Sequence, residues 1–73
     1  MNPMTKGEAA QLLNVAVDAL SSDIRRAANI LLDHLDDSLE RAPTEGLKAK
    51  YREEIAQVEE ALAVLLSAPA AGG

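Results

Sequence analysis

The chain has 73 residues, with no cysteine, phenylalanine or tryptophan and one tyrosine, and twelve Asp and Glu against seven Lys and Arg for a formal charge of −5. A domain this small is near the lower limit at which a hydrophobic core suffices, and the core must be built from Leu, Ile, Val and Ala. The acidic balance argues against nucleic acid or an anionic membrane as partner, and the lack of cysteine removes disulfides and thiolate metal sites and suits a reducing cytoplasm.

Residues 1–5 read as a flexible amino terminus, and no signal-peptide apolar block follows them. Thr5 and Glu8 have the spacing of a capping box, in which each side chain serves the other's backbone amide. A short helix is expected over 6–13, burying Ala9, Leu12 and Leu13, with Gly7 as a weak point. Asn14 tolerates the left-handed conformation and suits the helix stop. Val15 to Leu20 is a connection whose valines pack under the helices, and Ser21 or Ser22 is the expected cap of a second helix with Asp23 at its positive end.

The second helix is expected over 22–41, with Ile24, Ala27, Ala28, Leu31, Leu32, Leu35 and Leu39 forming its buried stripe. Ala42-Pro43 ends it, and so short a turn brings the next helix back antiparallel. The third, over 44–66, is capped by Thr44 and is the most regular stretch in the chain. Leu47, Tyr51, Ile55, Val58, Leu62 and Leu65 recur at steps of three and four, with Leu66 as one extra leucine at the end, which buries one helix face. Residues 67–73 have the Ala, Pro and Gly composition of a flexible linker, which suggests an amino-terminal module of a larger protein. No apolar run reaches the ~20 residues needed to span a bilayer. The fold class is therefore all-α, a short first helix on a long antiparallel hairpin.

Charge placement agrees with the hairpin. The second helix begins with Arg25 and Arg26 and ends with Asp33, Asp36, Asp37 and Glu40. The third begins with Lys48, Lys50 and Arg52 and ends with Glu59 and Glu60. Folded antiparallel, basic ends lie beside acidic ends, so ion pairs across the hairpin are expected, each worth only ~0–1 kcal/mol.

Leu12-Leu13-Asn14-Val15-Ala16-Val17-Asp18-Ala19, followed by Ile24-Arg25-Arg26-Ala27, resembles the start of a J-domain. Glu60-Ala61-Leu62-Ala63-Val64-Leu65 and then Ser67-Ala68-Pro69 is similar to that family's closing Glu-Ala-Tyr-Glu-Val-Leu-Ser-Asp-Pro. The resemblance spans about Gly7 to Pro69 and implies a three-helix J-like fold. J-domains stimulate an Hsp70 chaperone through a His-Pro-Asp turn and dock through a basic face on the second helix. Here the nearest match is His34-Leu35-Asp36, without the proline and inside an apolar stripe that continues to Leu39. The docking region carries Asn29, Ile30 and Asp33 and an acidic end. The chain is thus similar to degenerate J-like domains, such as the J-like subunit of the mitochondrial import motor, which use the fold to bind proteins.

His34 with Asp33, Asp36 and Asp37 is a poor metal constellation: one imidazole, no second histidine, and carboxylates on several faces. No catalytic constellation or phosphate-binding loop is evident, so neither enzyme activity nor a cofactor is expected. Ile30 lies outside the buried stripe, on a face with Arg26, Asp33, His34 and Asp37, and this face is the candidate partner-binding surface. A single exposed apolar residue is usually ordinary surface. A secondary candidate is the hairpin tip around Leu39, Leu47 and Tyr51. The leading expectation is a non-catalytic protein–protein interaction module whose partner is another protein or another copy of itself. Alternatives are a self-associating hairpin for oligomerisation, a working Hsp70 co-chaperone, and a helix-turn-helix DNA reader, the last opposed by the charge.

Overall fold

The computed structural model describes residues 4–72, and side chains for 4–66. Helix α1 spans Lys6–Leu13, α2 Ser21–Arg41 and α3 Glu45–Gly72. The start and stop of α1 are chemically explicit. The Glu8 amide donates to Thr5 Oγ1 at 3.1 Å, and the Thr5 amide donates to Glu8 Oε1 at 2.9 Å. At the other end Asn14 has φ 59°, the left-handed value. Its amide donates to the Gln11 carbonyl at 3.1 Å and the Val15 amide to that of Ala10 at 2.9 Å. This is the Schellman pattern, and it satisfies carbonyls that the helix leaves open. Met4 is half-buried against the core and Thr5 is the cap, so the expected loose amino terminus does not include them; Met1 to Pro3 lie outside the described residues.

The start of α2 differs from expectation. Neither serine is the cap: Leu20 is, with extended backbone and no side-chain hydrogen bond, and its carbonyl accepts from the Ile24 amide at 2.9 Å. The helix begins one residue early, and the first-turn amides face solvent instead of a side-chain oxygen. α2 ends at Arg41 with Ala42 as its C-cap, and Thr44 caps α3 as expected, accepting from the Leu47 amide at 3.2 Å. Ala42–Thr44 alone joins the two helices, which makes them antiparallel neighbours. α3 does not stop at Leu66. It continues through the stretch read as a linker, where Ala68, Ala70 and Ala71 are among the strongest helix formers.

One core forms where the three helices meet. Ala9, Ala10 and Leu13 of α1, Ile24 and Ala28 of α2, and Val58, Ala61 and Leu65 of α3 are buried in a single cluster. The beginning of α2 thereby meets the end of α3. α1 packs mainly on α3 and touches α2 only lightly. Ala9, Ala28 and Ala61, one per helix, are completely buried. Alanine at such positions lets backbones come close, since helix separation follows the side chains at the contact.

Three parts of the expected core are displaced. In α1 Ala10 is buried while Leu12 is 38% exposed. Ala61 belongs to the α3 core, although the large-residue pattern passes over it. In the connection Val15 packs against the core and Val17 does not. Ion pairs across the hairpin are also absent among the described residues. Arg41 Nε lies 3.4 Å from Asp37 Oδ1 and Lys48 Nζ 3.3 Å from Glu45 Oε2, both within one helix. A pair on one helix face needs less ordering of long side chains than a pair across two helices.

Leu31→Ala and Val58→Ala should each lower stability by roughly 1–4 kcal/mol in a thermal or urea melt, Leu31 toward the lower end because it is only half-buried. Leu20→Asp supplies the missing cap. It should raise stability by about 1 kcal/mol, a rise of roughly 4–8 °C in Tm for a domain this size. An unchanged Tm would show that water satisfies the open amides equally well.

Candidate functional site

α2 carries the predicted partner-binding residues, and its phase decides where each points. Ile24 and Ala28 hold one side in the core, with Ala27, Leu31, Leu32 and Leu35 packed around them. That phase turns Ile30 outward, at 63% exposure. Arg26, Asp33 and Asp37 are exposed as well, and Asp37 is held by Arg41. Four of the five predicted residues thus share the outward face with no covering element.

His34, though also exposed, lies at an edge. It borders a hollow of ≈ 290 Å³ between the helices, lined by Leu12, Leu31, Leu35 and Val58 with Glu54 and Gln57. α2 runs unbroken through His34-Leu35-Asp36, so these residues have helical geometry and do not form a turn. Among the described residues no group of three or more His, Asp or Glu side chains is arranged to hold a metal ion.

The hairpin tip is the second candidate. Leu39 and Tyr51 are half-buried there, and Leu47 is 37% exposed. α1 does not reach this end: its core residues meet only the first part of α2 and the last part of α3. The tip is a two-helix contact without a third layer, which leaves its leucines incompletely covered.

Sequence reasoning missed Leu12. In an eight-residue helix, Ala9 and Leu13 fit a stripe completed either by Leu12 or by Ala10, and the larger residue is the natural choice. The structure takes Ala10 inward. Leu20, the α2 cap, was also missed and is 70% exposed.

The chain matches no known protein family, no curated protein and no solved structure. Among the described residues no helix is long and apolar enough to cross a membrane.

Ile30→Asp should leave the melting curve of the monomer within about 0.5 kcal/mol of the parent, because the side chain is outside the core. A large loss of stability would place Ile30 in the core and overturn the assigned phase of α2.

Proposed function

We propose that the chain is a non-catalytic, cytoplasmic protein–protein interaction module with a degenerate J-like fold. The observation that carries the reading is Ile30, a β-branched apolar residue in mid-helix, 63% exposed among charged neighbours on the face away from the core. Burying one isoleucine in an interface contributes ~1.5–3 kcal/mol, enough to weaken binding at least tenfold when it is removed. One further observation supports the J-like part and another its degenerate character. The short helix on an antiparallel hairpin has the expected element order, and the residues in the place of His-Pro-Asp are inside a helix. The charge of −5 supports a protein partner over nucleic acid or an anionic membrane.

A second reading is self-association through the hairpin tip, favoured by the exposure of Leu47 beside half-buried Leu39 and Tyr51. The two readings separate cleanly. Ile30→Asp should abolish partner capture and leave sedimentation unchanged, whereas Leu47→Glu should reduce self-association if the tip is the interface. No stimulation of Hsp70 ATP hydrolysis is expected in single-turnover assays. Stimulation lost on His34→Gln would replace this reading with a working co-chaperone.

A further inference from the structure

The core register of α3 runs onto a carboxylate. Val58, Ala61 and Leu65 are its buried residues, spaced at steps of three and four. One step of four back from Val58 is Glu54, which is half-buried and has no ion pair or side-chain hydrogen bond among the described residues. Residues four apart share a helix face, so Glu54 stands on the side of α3 that meets the other helices. There it borders the hollow of ≈ 290 Å³, whose apolar lining is Val58 and three leucines drawn from the other two helices. His34 and Gln57, both exposed, complete the lining on the solvent side. An apolar hollow between helices with one charged acceptor set in its wall has the composition of a small-molecule site.

We propose that this hollow binds a small, uncharged aromatic molecule whose ring edge donates a hydrogen bond to Glu54. Size selects the body of the ligand. An apolar cavity of about 150 Å³ holds a single benzene ring, so ≈ 290 Å³ suits two fused rings. Glu54 selects the head, because a carboxylate accepts hydrogen bonds and the ligand must therefore donate one. An ammonium group would lose its hydration against the leucines for the sake of one carboxylate. An anion is opposed both by Glu54 and by the net charge of −5. The apolar lining gives way to His34 and Gln57 at the surface, so a protein partner meets no continuing apolar area around the opening. The site is separate from the outward face of α2, since Ile30 is not among the residues that border it.

The test uses indole, two fused rings with one N–H. Benzofuran, which has an oxygen in place of that N–H, and tryptamine, which adds an ammonium group, are the comparisons. Each is titrated into the isotope-labelled full chain and into Leu12→Trp and Glu54→Leu, with backbone amide shifts as the readout and a melting curve to check each variant's fold. The expected result is saturable indole binding with Kd on the order of 1 mM or tighter, its shifts concentrated at Leu12, Leu35 and Val58. Benzofuran should bind about tenfold more weakly, and Glu54→Leu should bring indole down to the same level. Leu12→Trp, which adds volume at the wall of the hollow, should abolish binding. If Leu12→Trp does not fold, the comparison of indole and benzofuran on Glu54→Leu still decides. No saturable shifts, or shifts centred on Ile30 or the hairpin tip, overturn the site. Equal affinity for indole and benzofuran, or tryptamine at least tenfold tighter than indole, overturns the ligand class. A blocked peptide carrying one tryptophan and binding at least tenfold tighter than indole overturns it too, in favour of a partner's side chain.

Discussion

The structure turns on a mismatch of lengths. α1 has eight residues, about 12 Å of helix, while α2 has 21, about 30 Å. A helix pair in water needs its apolar stripes covered, and the stripe of a long hairpin is wider than the partner strand of contact alone can hide. α1 provides the third layer at one end only. The buried cluster is found there, and toward the tip the same stripe continues with residues that are no more than half-buried. The incomplete cover of the stripe toward the tip follows from where α1 ends.

What α1 lacks in length it partly offsets in definition. Both of its ends are closed by side-chain or backbone hydrogen bonds, which isolated helices this short cannot do without. The buried alanines contribute less transfer free energy than leucines would, but they allow the backbones to approach. The combination makes a small core from a chain without large aromatics. It also makes the helix junction sensitive to added volume, since Ala9, Ala28 and Ala61 are completely buried and overpacking a core is destabilising.

The surface is organised by the same geometry. α2 presents Ile30 among charges on its outer side, while the hollow between the helices is lined by leucines and Val58 with Glu54 and Gln57. These are different chemical surfaces on one helix pair, with His34 bordering the second. The charged residues of the hairpin pair locally or stay solvated, so the excess of negative charge is displayed outward. Such a field acts on association rate and partner choice more than on the stability of the fold.

Much of this architecture was legible in the amino-acid order. The Thr5/Glu8 box, Asn14 and the Thr44 cap are local chemistry, decided within a few residues, and the structure forms each as read. The long stripes set the phase of α2 securely, because several apolar residues vote together, and Ile30 consequently points out. Local patterns were silent wherever the answer depended on another element. Ala10 instead of Leu12, and Ala61 within the core, follow from how closely two backbones approach, which no single-helix periodicity contains. The 290 Å³ hollow is likewise a property of three helices at once, since Leu12, Leu31 and Val58 come from one helix each. Sequence by itself therefore determined the three helices, both ends of α1, the turn between α2 and α3, and the buried side of the longer pair. Tertiary structure alone decided which residues of the short helix were spared from the core, because that choice is made by the space left between the other two.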